Sequence, residues 1–106
     1  MASQSVYRVD KFIVPEAARD EFLKTVRHTH ELLRKQPGFQ WDQLLEQQSG
    51  PGSFNIVTIA EWKNDEAMTA ASVVIQADRE TTGLDPRALM HRLNVTPDLG
   101  NYRELD

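Results

Sequence analysis

The segment from Phe54 to Trp62, Phe-Asn-Ile-Val-Thr-Ile-Ala-Glu-Trp, has the strongest strand pattern in the chain. Successive side chains of a strand point to opposite faces of its sheet, so the segment divides into two sets. One set contains Phe54, Ile56, Thr58, Ala60 and Trp62, and the other contains Asn55, Val57, Ile59 and Glu61. Because both sets carry large apolar side chains, both faces of the sheet must be covered.

Three further strands are predicted around this segment. Val6 to Val14 is rich in β-branched and aromatic residues, which is typical of a half-buried strand. Phe39 to Gln47 predicts another strand. A loop rich in Gly, Ser and Pro joins this strand to Phe54–Trp62, so the two strands are predicted to form a hairpin at the centre of the sheet. Pro97 to Leu105 predicts the last strand. The side chains expected on one face of the second strand are Phe39, Trp41, Gln43 and Leu45.

Helices are predicted where apolar residues recur at spacings of three and four. Glu16 to Gln36 shows this spacing and ends at Pro37-Gly38. A second helix, capped by Asn64 or Asp65, runs to about Glu80. Asp85-Pro86 then begins a short third helix from Arg87 to Leu93.

This order of elements predicts a single α+β domain over residues 1–106, with a ferredoxin-like β-α-β-β-α-β arrangement. The first two strands are joined through a helix, so they should run parallel. Two helices cover only one face of a four-stranded sheet, and the other face is also apolar here. A second copy packed sheet to sheet about a two-fold axis would cover it, so the sequence predicts a homodimer.

Composition and charge exclude several classes of partner and chemistry. The net charge is −4 and no cluster of Lys and Arg is present, so nucleic acid is not an expected partner. The chain has no cysteine, which excludes disulfides and cysteine nucleophiles. No apolar stretch approaches the roughly 20 residues of a membrane span, and Met1 to Ser5 does not resemble a signal peptide. We therefore expect a cytoplasmic protein without membrane contact.

Two histidines of the first helix, His28 and His30, raise the question of a metal site. Residues two apart on a helix point about 200° apart, so the pair cannot hold one ion, and no metal site is predicted. His28 lies away from the apolar stripe, whereas His30 lies at its edge. An imidazole titrates near neutrality, so His30 can serve as a base in a pocket. The alternative is a boundary histidine bonded to a neighbour.

Arg79 and Ser72 stand out because they share the otherwise apolar face of the second helix with Met68 and Ile75. A polar group in such a position must find a partner or face a cavity. A guanidinium at the rim of a pocket can stabilise a phenolate or an enolate. The alternative is a salt bridge at the end of the helix, with Arg79 reaching outward to solvent.

Aromatic residues of the strands offer walls for a binding site. Trp41 and Trp62 can stack an aromatic substrate, and Tyr7 can in addition donate its hydroxyl to a substrate oxyanion. Packing in the core or in the dimer is the alternative for all three side chains.

Several segments together resemble the antibiotic biosynthesis monooxygenase family. They are Val9 to Pro15, the helix with Phe22 and Leu33, Gln36-Pro37-Gly38-Phe39, Glu61-Trp62-Lys63-Asn64 with Ala67, Leu84-Asp85-Pro86, Leu89 to Leu93, and Asp98 to Tyr102. The likeness spans nearly the whole chain. It implies a dimeric α+β barrel, with a pocket between the sheet and the helices of each subunit.

The resemblance also implies an oxygenase that uses O₂ without a metal or an organic cofactor, on a small electron-rich aromatic such as a phenol or quinol. On this hypothesis His30 accepts a proton, Arg79 and Tyr7 stabilise the anion, and the substrate is bound by Trp41, Trp62, Ser72, Met68 and Ile75. A non-catalytic module that binds a small ligand is the alternative. The haem-degrading branch of the family carries a further Trp and a His on the helix after the strand-end Trp. Met68 to Ala77 has neither residue, so haem binding is not expected.

Overall fold

The computed structural model describes residues 4–105, within which four strands and three α-helices follow the predicted order. The strands are β1 (Val6–Ile13), β2 (Phe39–Glu46), β3 (Ile56–Trp62) and β4 (Thr96–Tyr102). The helices are α1 (Arg19–Leu33), which a 3₁₀ turn over Glu16–Ala18 precedes, α2 (Asp65–Thr82) and α3 (Pro86–Leu93). All neighbouring strands are antiparallel, in the order β2-β3-β1-β4. The predicted ferredoxin-like α+β fold is confirmed, and within one chain the sheet is open.

The order of the strands confirms one prediction and corrects another. β1 and β2 run in the same direction, as predicted, because each pairs antiparallel with β3, which lies between them. The prediction that the β2–β3 hairpin is central is wrong, since β2 forms one edge and β1 and β3 are the central strands. Local sequence patterns identify strands, but the choice of neighbours depends on contacts between distant segments.

Local hydrogen bonds explain where α2 and α3 begin and end. The Asn64 side chain accepts a hydrogen bond from the N–H of Ala67 at 2.9 Å, which caps α2. Gly83 ends this helix in the left-handed conformation, with φ of 75°. The Asp85 side chain accepts hydrogen bonds from two N–H groups in the first turn of α3, which begins at Pro86.

The helices cover one face of the sheet and leave the other bare. Ile56, Thr58, Ala60 and Trp62 of β3 are buried beneath the helices. The shortest dimension of the chain is 17 Å, which fits one layer of sheet and one layer of helices. We call the bare side the open face, and its apolar side chains are Tyr7, Val9, Ile13, Trp41, Leu45, Val57, Ile59 and Tyr102.

The core beneath the helices has two parts. One cluster includes Phe12 and Phe22, whose rings meet edge to face with centroids 4.9 Å apart. The other includes Val6 and Trp62, and Phe39 packs against it. Along β1, the residues between these two clusters on the helix side are charged, and this interruption positions the site described below.

Phe39 lies on a different face of the sheet from Trp41, contrary to the predicted alternation. The ladder between β2 and β3 shifts here, because Phe39 pairs with Trp62 whereas Trp41 pairs with Glu61. The extra residue forms a β-bulge, which reverses the direction of the side chains that follow. Phe39 therefore packs in the core, while Trp41, Gln43 and Leu45 share the open face.

We expect Gly38→Ala to destabilise the fold by about 2–4 kcal/mol. Gly38 has a φ of +84°, and an added Cβ would lie 2.4 Å from the Cβ of Ala67 on α2. Gly83→Ala is the matched control, since Gly83 has a φ of +75° but no atom within 4 Å of an added Cβ. The control should lose only the conformational cost, about 1–2 kcal/mol. Urea unfolding measures both losses, and equal losses would contradict a role for the close approach to α2.

Candidate active site

The site is organised by two charged residues of β1 that face the helices. Arg8 and Asp10 share the helix side of this strand with Val6 and Phe12, which are both buried. The Arg8 Nε donates a hydrogen bond to the Asp10 Oδ1 at 2.6 Å. Charged groups that are partly removed from water need polar neighbours. The polar neighbours of Arg8 and Asp10 line two adjoining cavities.

Among the cavities between the sheet and the helices, two adjoin each other. The first has a volume of about 180 Å³ and is bounded by α1, α3 and the sheet. The second has a volume of about 170 Å³ and is bounded by α1, α2 and the sheet. Each is smaller than the roughly 300–1,000 Å³ of a typical ligand pocket. Four residues line both cavities and so mark their junction, namely Arg8, Asp10, Thr29 and Arg79.

His30 of α1 lines the first cavity and is held in a defined orientation. It is only 6% exposed, and its Nδ1 lies 2.8 Å from the Asp42 Oδ2 on β2. The Arg34 Nη2 lies 2.9 Å from the same oxygen. Burial alone would raise the pKa of Asp42, but the hydrogen bonds from Arg34 and His30 outweigh it and hold that pKa below its usual value.

The bond to Asp42 determines which nitrogen of His30 can react. A carboxylate at Nδ1 favours the tautomer in which Nδ1 carries the proton and donates it to the carboxylate. The Nε2 of His30 then carries a lone pair, and no residue from 4 to 105 is hydrogen-bonded to it. This is the arrangement of a general base whose partner orients it.

Arg79 of α2 reaches the junction of the two cavities. Its Nε is buried and has no hydrogen-bond partner among residues 4–105. Burial, with the nearby positive charge of Arg8, lowers the pKa of Arg79 from its usual value, and Asp10 and Asp78 oppose this only in part. The salt bridge at the helix end that the sequence left open is not formed by Arg79 within the described residues.

Asp10 is also partly buried, but its charged form is negative, so burial shifts its pKa in the direction opposite to that of Arg79. Burial raises the pKa of Asp10, and the positive charges of Arg8, His30 and Arg79 offset this only partly. Two guanidinium groups, of Arg8 and Arg79, line the junction together with this one carboxyl group.

The structure brings together most of the site residues that the sequence singled out. Trp62, Met68, Ser72 and Ile75 line the second cavity, although the Ser72 hydroxyl donates to the Thr69 carbonyl at 2.6 Å. His30 lines the first cavity, and Arg79 lines both.

Tyr7 and Trp41 lie elsewhere, on the open face of the sheet. Tyr7 pairs with Glu61 and with Tyr102 across the two neighbouring strands, and Trp41 pairs with Glu61. Neither side chain lines the two cavities. His28, which the sequence placed away from the apolar stripe, is exposed, and its Nε2 lies 2.9 Å from the Asp78 Oδ2.

Sequence reasoning did not single out Arg8, Asp10 or Asp42. Arg8 and Asp10 could have been recognised from the sequence. They are separated from Val6 and Phe12 by even numbers of residues, so they lie on the same face of the strand, which is otherwise apolar. Asp42 had no comparable signal. It meets His30 only because β2 packs beside α1 in the folded chain.

No group of three or more His, Asp or Glu side chains among residues 4–105 is placed to hold a metal ion. None of the helices in this part of the chain combines the length and apolar character needed to cross a membrane.

Solved structures share this fold over nearly the full chain. SnoaB, a cofactor-independent oxygenase from Streptomyces nogalater, is 22% identical, with a TM-score of 0.68 over 97% of this chain and 95% of its own. MhuD from Mycobacterium tuberculosis, a heme degrader with two hemes bound in its active site, is 24% identical, with a TM-score of 0.66 over 95% and 97%. A conserved protein from Methanosarcina mazei Go1 is 17% identical, with a TM-score of 0.74 over 97% and 95%. At these identities the likeness establishes the fold.

Sequence comparison identifies the family. No curated protein is similar enough in sequence to contribute to the assignment. The profile described as antibiotic biosynthesis monooxygenase matches residues 5–72, which extend from β1 into α2 and include His30 and Asp42. The match covers more than half of the chain and confirms the resemblance seen in the sequence, so this protein belongs to the antibiotic biosynthesis monooxygenase family.

Proposed function

We propose that this protein is a monooxygenase that oxidises a small electron-rich phenol or quinol with O₂ and without a cofactor. One observation carries the proposal: a buried histidine lines a cavity, and its Nδ1 lies 2.8 Å from a carboxylate oxygen of Asp42. Membership of the family supports a monooxygenase-type role. The substrate class is the one that the family resemblance implies, and a candidate base beside an apolar wall is compatible with it.

The reaction begins with removal of the phenol proton by His30 Nε2. The phenolate donates one electron to O₂, and the resulting radicals combine to form a carbon–oxygen bond at an unsubstituted ring carbon. The proton on that carbon then passes to the terminal oxygen of the peroxide as the O–O bond breaks, which yields a quinone and hydroxide. The hydroxide that leaves takes up the proton held by His30 and departs as water, so one oxygen atom of O₂ enters the product.

The remaining side chains assist by binding and by charge. The Arg79 guanidinium lies at the junction of the cavities, where it can stabilise the phenolate electrostatically. Phe12, Phe22 and Leu89 supply an apolar wall that orients the ring and excludes water. The predicted participation of Tyr7 and Trp41 would require their open face to meet a ligand or a partner.

Oxygen uptake tests the proposal directly. Metal-stripped protein is incubated with a panel of phenols, hydroquinones and anthrones in an oxygen electrode, with ¹⁸O₂ used to trace the product oxygen. We expect uptake of one O₂ per substrate and incorporation of one ¹⁸O atom into the quinone. No uptake with any substrate would contradict the proposal, and ligands that raise the melting temperature without turnover would favour a binding module instead.

Haem does not fit the residues of this site. α2 carries no histidine, and its side chains toward the second cavity include Met68, Ala71 and Ile75. The Nδ1 of His30 is hydrogen-bonded to Asp42. The cavities, of about 180 and 170 Å³, are small for a porphyrin. The proposed mechanism therefore contains no haem, and titration of the protein with hemin should leave the Soret band of free hemin unshifted.

We also propose that the open face is covered by a second copy of the chain. Trp41, Leu45 and Tyr102 on this face are 41%, 45% and 47% exposed, and half-buried Val57 and Ile59 lie between them. A patch of this kind marks an interaction surface, and a two-fold axis would pair the same residues on both copies.

Light scattering tests this association. Size-exclusion chromatography at micromolar concentration should give twice the chain mass of 12.1 kDa. Leu45→Asp places a charge among the exposed apolar side chains of the open face and should yield the monomer. Val73→Asp is the control, because Val73 is exposed on α2, away from the sheet. A wild-type mass of one chain would contradict the proposal.

A further inference from the structure

Arg79 is a half-buried cation whose Nε is fully buried, and no carboxylate among residues 4–105 is bonded to it. Its Nε has no hydrogen-bond partner among residues 4–105, and no carboxylate in this part of the chain lies within salt-bridge distance of its guanidinium. A buried polar group left unpaired is costly, and an unpaired charge is more so. Something outside the described residues is therefore expected to satisfy Arg79.

The carboxylates near Arg79 are already bound to other groups. Asp10 is held by the Arg8 Nε at 2.6 Å, and Asp78 lies 2.9 Å from the His28 Nε2 on the outer side of the helices. At the junction, Arg8 and Arg79 supply two positive charges against the single carboxylate of Asp10. Among the residues that line the junction, one guanidinium therefore has no carboxylate bonded to it.

Apolar side chains adjoin this charge. The first cavity extends from Arg79 to Phe12 and Phe22 of the core and to Leu89 and Met90 of α3. A ligand that satisfies both regions combines a ring with an oxyanion. Carboxylates and sulfonates offer two oxygens to a guanidinium, which binds such groups in a bidentate manner.

We infer that the ligand of this cavity is a small aromatic molecule with a permanent oxyanionic substituent, which Arg79 binds while the ring occupies the first cavity. The inference rests on the proposed function for the location of the site, but it concerns binding and needs no turnover. It adds a fixed anionic group to the phenol whose oxidation is proposed above.

Calorimetric titration of the unmodified protein with benzoate, benzenesulfonate and benzamide tests the inference, because the three differ in charge but little in shape. None of them carries a phenol, so no oxidation interferes. We expect at least one of the two anions to bind about tenfold more tightly than the amide, since charge-assisted hydrogen bonds replace neutral ones. The two anions show whether a carboxylate or a sulfonate is preferred.

Variants assign the preference to Arg79. Arg79→Met should remove it and Arg79→Lys should retain part of it, whereas Arg103→Met should leave it intact, because Arg103 is exposed and pairs with Asp65. Equal affinity for the anions and the amide, or no binding of any probe, would overturn the inference even if Arg79→Met fails to fold. A preference that survives in a folded Arg79→Met variant would also overturn it. The ratio of affinities for the anions and the amide does not depend on turnover. Absence of oxygen uptake would therefore contradict the proposed oxidation but not this inference.

Discussion

His30→Gln is expected to reduce kcat for phenol oxidation by about 10²–10⁴-fold, the usual contribution of a positioned general base. An amide cannot accept the phenol proton, although Gln can still donate a hydrogen bond to Asp42, which lies 2.8 Å from His30 Nδ1. The phenol proton would then have to pass to a water molecule, although the apolar wall of the cavity excludes most water. Initial rates of oxygen uptake at saturating substrate measure the effect.

His28→Gln is the matched control for this experiment. His28 lies two residues earlier on the same helix, but it is exposed and pairs with Asp78. The control should retain the wild-type kcat. Both variants must show the far-UV circular dichroism of the wild type, because His30 is buried. An unchanged kcat in a folded His30→Gln variant would remove the base from the mechanism.

Trp62→Ala is expected to lower the free energy of unfolding by about 3–5 kcal/mol. Trp62 is 1% exposed, the most deeply buried large side chain among residues 4–105, and Phe39 packs edge to face against it with centroids 5.6 Å apart. Truncation removes this contact and leaves a space that adjoins the second cavity. Urea unfolding, monitored by circular dichroism, measures the loss.

Trp41→Ala is the control, with the same change of side chain on the opposite face. Trp41 is 41% exposed, so its loss should cost far less in the monomer. If a second copy covers the open face, the loss for Trp41→Ala should grow with protein concentration, because dimer formation stabilises the folded chain by mass action. The loss for Trp62→Ala should not change with concentration. Equal losses for both variants at low concentration would contradict the assignment of Trp62 to the core.

The sequence predicted the elements well because their signals are local. The cap at Asn64, the break at Gly83 and the Asp85-Pro86 start of α3 each depend on residues a few positions apart. Boundaries were less accurate at the strands, since β3 begins at Ile56 rather than Phe54 and β4 ends at Tyr102 rather than Leu105. The family resemblance was also readable from short segments, and the family profile confirms it.

The site was predictable only in part. His30, Arg79 and Trp62 could be selected because a polar or aromatic residue on an otherwise apolar face is visible in the sequence, and all three line the cavities. Their selection does not establish their roles, and the roles remain predictions. Tyr7 and Trp41 were selected by residue type alone, and they lie on the open face.

By itself, the amino-acid sequence determined the order of helices and strands, the apolar character of both sheet faces and the candidate base. Only the tertiary structure decided that β1 and β3 are central, that a bulge separates Phe39 from Trp41, that Asp42 orients His30 and that Arg79 has no counter-ion within the described residues. The physical reason is that periodicity and capping depend on neighbours in the chain. Strand register and the pairing of buried charges depend instead on which distant segments meet.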